Sequence, residues 1–145
     1  MLLISGINPS NIGPSEISRI AKAWIERYEK INLDDEKPMI LPADTNPWGD
    51  PAMFDLVDYF PEKAFLVIDE VLLQTDNEAV LCNLAAGPLE SLLAKYGEAV
   101  MPQIEYRAKN SSKFRDLFSW MYQVTSDELW ERIMALANTN MDTDR

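Results

Sequence analysis

The chain has 145 residues, 47% of them apolar, and a formal net charge of −11. That composition fits one domain with a continuous core and excludes a disordered tail. There is no His and a single Cys, which excludes Ser-His-Asp and Cys-His nucleophile arrangements, His general bases, His-ligated metals and cysteine-rich zinc or iron–sulfur sites within one chain.

The first fourteen residues are rich in Asn, Pro, Gly and Ser and read as an irregular arm. MLLISGINPSNIGPSE has no basic leader region, and no apolar run reaches the roughly 18 residues that span a bilayer. A cytoplasmic protein with no membrane partner is the expectation. From Ser15 a helix follows, in which Ile17, Ile20, Ala21, Trp24, Ile25 and Tyr28 form one apolar stripe at helical period. Glu16, Arg19, Lys22, Glu26, Arg27 and Lys30 fall on the opposite, solvent-facing side. Trp24 belongs to the core on this spacing.

Residues 32–50 lose regularity, because Pro38, Pro42, Pro47 and Gly49 exclude a long helix. They read as an ordered Pro-rich loop with a short extended piece at Met39 to Leu41. Trp48, between Pro47 and Gly49, reads as an aromatic tucked into the core or as an anchor for a partner. Asp50-Pro51 resembles a helix start, with Asp as N-cap and Pro in the first turn. The helix then runs through Met53, Phe54, Val57 and Phe60, and Pro61 opens the next. Pro61 to Gln74 is apolar on most of its circumference, so it is expected to be central and covered by neighbours.

Asp76 to Gly97 is predicted to hold two short helices, broken at Gly87-Pro88 and ended by Gly97. Cys82, set among Val80, Leu81 and Leu84, reads as a small buried apolar side chain. Three more helices are predicted: Glu98 to Lys109, Ser112 to Tyr122, and one with Ser126 as N-cap followed by Asp127, Glu128 and Leu129. Residues 138–145 are polar and read as a frayed tail. The fold class is all-α: seven to eight short helices in stacked antiparallel hairpins, irregular and HEAT-like, with a helical bundle as the alternative. Residues 1–145 form a single helical domain on this reading.

Charge placement says more than total charge. Between Asp34 and Glu90 stand thirteen acids against Lys37 and Lys63, so this stretch carries −11, the whole net charge. Such a surface is wrong for phosphate-backbone binding and no nucleic acid is expected as partner. Its electrostatic complement is a basic protein. A small basic cluster at Arg107, Lys109, Lys113 and Arg115 is expected to offset the acidic band within the molecule or in a homo-oligomer.

Catalytic chemistry would have to come from carboxylates. Asp55 and Asp58 lie three apart on one helix, with Glu62 beyond and Asp69 and Glu70 on the next. A carboxylate-dependent metal hydrolase using Asp55, Asp58 and Asp69 is therefore an alternative. No Asp-rich calcium loop, phosphate-binding Gly loop or Gly-x-Ser-x-Gly elbow is present. The expectation is no enzyme, no cofactor, no metal and no catalytic residue.

From about Pro61 onward the chain resembles a family of uncharacterised bacterial all-helical domains. The residues that carry the resemblance are Leu84-Ala85-Ala86-Gly87-Pro88-Leu89-Glu90 with Leu92-Leu93. Ile104-Glu105, Arg107-Ala108, Lys113-Phe114-Arg115 and Leu129-Trp130 with Arg132-Ile133 agree with it. The resemblance implies a helical fold and carries no activity. Small size, localised acidity and the bacterial resemblance together look like an immunity protein, which blocks a basic toxin domain, often a nuclease, by steric and electrostatic complementarity. The partner-binding residues are then Trp48 as apolar anchor and Asp50, Asp55, Asp58, Glu62, Asp69 and Glu70 around it. A helical adaptor or oligomeric scaffold is the other non-catalytic reading.

Overall fold

The computed structural model describes residues 3–31, 33 and 47–138. Asp34, Asp35, Glu36, Asp44, the extended piece at 39–41, most of the Pro-rich stretch and the tail from 139 lie outside the described residues. Every regular element among the described residues is helical, as the apolar periods predict. No helix among them is long and apolar enough to cross a membrane. Packing divides the chain into two compact units, Met1–Asn83 and Leu84–Arg145.

In the first unit α1 (Pro14–Tyr28), α2 (Gly49–Tyr59) and α3 (Pro61–Gln74) pack on one another in all three pairings. The α1 stripe points inward, with Ile17, Ile20, Ala21, Trp24 and Tyr28 buried. The Trp24 ring lies 4.6 Å from that of Tyr28 and 6.4 Å from that of Phe54, so Trp24 is core. Gly49 sets how closely α2 can approach α1. A Cβ there would stand 2.9 Å from the carbonyl carbon and oxygen of Ala23 and from the amide nitrogen of Trp24. Those are helix backbone atoms, which cannot rotate away as a side chain can.

The start of α2 differs from the predicted Asp50 cap. Gly49 is the first helical residue, Trp48 precedes it without a side-chain capping bond, and Asp50 lies inside the first turn. Its carboxylate is drawn across to α1 instead, as described below. Pro61 opens α3, where its missing N–H leaves no helical bond unmade. From Leu3 onward the arm before α1 packs into the unit. Leu3, Ile7 and Ile12 are buried, and Gly6, at φ +83°, turns the chain so that its N–H reaches Leu3 O at 2.8 Å.

Asn77 directly precedes helix α4 (Glu78–Leu84). The Asn77 side chain accepts from Val80 N at 3.0 Å and donates to Glu29 O at 3.0 Å, tying the start of α4 to the end of α1. Cys82 is half-buried rather than buried. Val80, Leu81 and Leu84 take the inward directions of α4, and position 82 points off that arc. The burial it retains raises its thiol pKa.

In the second unit the predicted break at Gly87-Pro88 is a π turn, Ala85–Leu89, leading into α5 (Glu90–Tyr96). Proline removes an N–H and crowds the carbonyl four residues back. Widening the ring by one residue resolves both, and Glu90 N–H donates to Ala85 O. With that run counted as one helix and the short α7 (Ser112–Leu117) set aside, the described residues hold six helices, against the seven to eight expected.

Gly97, at φ +51°, ends α5 as its residue type predicts. A 3₁₀ turn then leads into α6 (Met101–Asn110). Ser111 caps α7 by accepting from Phe114 N at 3.1 Å, and Ser126 caps α8 (Asp127–Ala137) by accepting from Leu129 N at 3.2 Å. Leu89, Leu92, Leu93, Met101, Ile104, Phe114, Leu117 and Ile133 supply this unit's core. In the basic cluster, Arg115 donates to Ala108 O at 2.7 Å and Arg107 to Gln103 Oε1 at 2.7 Å. Arg115 thereby satisfies one of the last carbonyls of α6.

Gly49→Ala is expected to lower the free energy of unfolding by about 1–3 kcal/mol, the usual range for overpacking a tight contact. Urea denaturation followed by far-UV circular dichroism measures it. An unchanged midpoint would mean that α1 and α2 separate at no cost.

Candidate partner-binding surface

The residues singled out in the sequence divide into an internal set and an external set. Asp55 is internal: it is 4% exposed, the one buried charged side chain among the described residues. Its neighbours Leu56 and Val57 and nearby Ala52 belong to the core. A carboxylate in such a place needs a donor, and Ser5 N–H supplies it at 2.7 Å. The other side of Ser5 is held by Trp48, whose indole Nε1 donates to Ser5 O at 2.9 Å. Asp55 and Trp48 thus grip the N-terminal arm from both sides of one residue. The Arg19 guanidinium sits 4.1 Å over the Trp48 ring, a cation–π contact that further fixes the half-buried indole. These two side chains, expected as partner contacts, fasten the arm to the fold.

Asp50 belongs to the same set. It accepts from the Tyr28 hydroxyl at 2.7 Å and from Arg27 Nε at 3.2 Å, joining the last turn of α1 to the first turn of α2. Burial, then the bond to Asp50, pushes the Tyr28 phenol well above its ordinary range, so it stays a donor. The aspartate is only part-exposed.

The external set is Asp58, Glu62, Asp69 and Glu70. Asp58 is exposed in the last turn of α2 beside Tyr59, which is 58% exposed. Glu62 is exposed, and Asp69 and Glu70 half-buried, on α3. Ala64, Phe65, Ile68, Val71 and Leu72 form the inward face of this helix, while Leu66 is 42% and Leu73 81% exposed. Glu62, Leu66, Asp69, Glu70 and Leu73 follow one another at spacings of three and four, so they share the outward face. Helix α3 is therefore not covered all round, contrary to what its composition predicts. Leu66 and Leu73 make it apolar on most of its circumference, and they lie off the inward stripe. Sorting those two sets by angle would have found them from the sequence.

Beside this face lies a hollow between the start of α1, at Gly13, Pro14 and Ile17, and Lys63, Leu66, Asp69 and Glu70 of α3. Glu70 also accepts from Gln74 Nε2 at 2.9 Å. The carboxylate triad of the hydrolase reading is not brought together, since Asp55 faces inward to Ser5 while Asp58 faces solvent. Among the described residues no group of three or more His, Cys, Asp or Glu is placed to hold a metal.

Residues 36–141 match a family described as a family of unknown function, DUF6869, and the chain belongs to it. The resemblance to an uncharacterised domain family holds. No curated protein and no solved structure matches the chain.

Asp55→Ala leaves the part-buried Ser5 N–H without its acceptor and is expected to cost about 1–3 kcal/mol. Asp58→Ala, at an exposed position, is expected to stay within about 0.5 kcal/mol. Thermal and urea unfolding of the two variants checks the contrast, and equal losses would contradict the internal role of Asp55.

Proposed function

We propose that this chain is a non-catalytic binding protein of the bacterial immunity class, acting in the cytoplasm by capturing a basic toxin domain. The supporting observation is the outward face of α3, where Leu66 and Leu73 stand exposed among Glu62, Asp69 and Glu70. Apolar side chains within an acidic surround give the two components of a capture surface. Apolar anchors supply the desolvated contact that slows dissociation, and the charges steer a basic partner into place. The first unit, Met1–Asn83, carries fifteen acidic against six basic side chains, a net −9, so its far field has the same sign as the face.

The contact set differs from the one read in the sequence. Trp48, Asp50 and Asp55 hold the unit together, and Tyr59, Leu66 and Leu73 join Asp58, Glu62, Asp69 and Glu70 as the contact residues. A nuclease toxin fits this scheme because a nucleic-acid-binding cleft is basic, and an acidic protein seated there occludes it.

The test is co-expression with a neighbouring gene product that carries a basic C-terminal domain. The reversal Glu62→Lys, Asp69→Lys, Glu70→Lys is expected to slow association by about tenfold or more at low salt and to flatten its salt dependence. Retention of the complex with an unchanged association rate would overturn capture by this face.

A further inference from the structure

The hollow beside α3 combines two kinds of wall. Pro14, Ile17 and Leu66 give it apolar sides, and Asp69 and Glu70 stand with Lys63 as its charged residues. Two carboxylates against one ammonium leave the lining net negative, within a unit whose wider field is also negative. A ligand suited to it needs an extended apolar stem and a cationic head that can address two carboxylates at once.

We infer that this hollow takes an arginine side chain of the basic partner, its methylene stem against Ile17 and Leu66 and its guanidinium shared between Asp69 and Glu70. The inference rests on the partner-capture reading above and names the partner group that the face selects. Arginine suits it better than lysine. Its planar fork has five donors and engages carboxylates in pairs, whereas the lysine head is a compact and strongly hydrated point charge. A guanidinium gives up water more readily, and its stem can lie along apolar surface while the head stays at the rim. Glu70 already accepts from Gln74 and Asp69 is also engaged within the chain, but a carboxylate has about four acceptor sites, so each accommodates a further donor. Lys63 opposes the ligand, and that opposition provides a control: its removal should tighten binding.

The experiment uses the full chain, isotopically labelled for NMR, at low salt. It is titrated with a short amphipathic peptide carrying arginines on a leucine face, and with the lysine and citrulline versions of that peptide. The expected result is amide shifts concentrated at residues 13–17 and 63–70, with affinity falling about tenfold from arginine to citrulline and less to lysine. Asp69→Asn with Glu70→Gln, which keeps side-chain shape, should weaken the arginine peptide about tenfold, while Lys63→Ala should tighten it. Circular dichroism confirms that each variant is folded.

Equal binding of the citrulline peptide, or an unchanged affinity in the doubly neutralised variant, would overturn the inference. Salt-dependent binding of the arginine peptide with shifts elsewhere overturns the hollow but leaves capture by the acidic surface standing. Failure of both the peptide and the basic toxin domain to bind overturns the two together. A concentration-dependent dimer abolished by Leu66→Ala would make a second copy of this chain the occupant, and would also overturn it.

Discussion

The first unit depends on how closely α2 can lie against α1. Gly49 lets the two backbones meet at the carbonyl of Ala23, a place with no room for a Cβ. Next to it, Tyr28 and Arg27 reach across to Asp50 and lock the contact. A hydrogen bond alone would fix one point, and a close approach alone would permit sliding. Together they fix the rotation of α2 about its own axis, and that rotation decides which way every other residue of the helix points. It aims Asp55 inward at Ser5 and leaves Asp58 and Tyr59 outside.

The arm and α3 follow from that orientation. With Asp55 and Trp48 gripping opposite sides of Ser5, Leu3 and Ile7 are held in the core although the arm has little regular structure. Pro61 begins α3 directly after α2, so the short connection leaves the third helix little freedom. Its Phe65, Ile68 and Val71 side goes to the core, and its Leu66 and Leu73 side faces out. The candidate interface is thus the leftover face of a helix whose other face is fully committed. That is a rigid support for binding, and rigid supports lose less entropy when a partner docks.

Local features were legible in the sequence, and long-range ones were not. The α1 stripe, the Ser126 cap, the Pro61 start and the Gly97 stop each depend on residues within a turn or two, and each appears as the residue types predict. Asp50, Asp55 and Trp48 read in the sequence as members of an acidic, aromatic surface because their partners are distant in the chain. Tyr28, Ser5 and the arm come to them only through the fold. The Gly87-Pro88 step predicts a disturbance of the helix, and a π turn absorbs it with one longer hydrogen-bonded ring. The outward leucines of α3 were hidden by composition: a helix rich in apolar residues reads as buried all round unless its two stripes are separated by angle. Of the candidate surface, the sequence makes the charge legible, because charge sums over the surface whatever the fold does.

The central claim is that the outward face of α3 is where a basic protein partner seats. Hydrogen–deuterium exchange on the purified complex, compared with the chain alone, tests it most directly. The account predicts added protection along α3 and the last turn of α2, with the core amides around Ser5 and Asp55 unchanged. A complex in which α3 exchanges as it does in the free chain, with protection confined to the second unit, would contradict it.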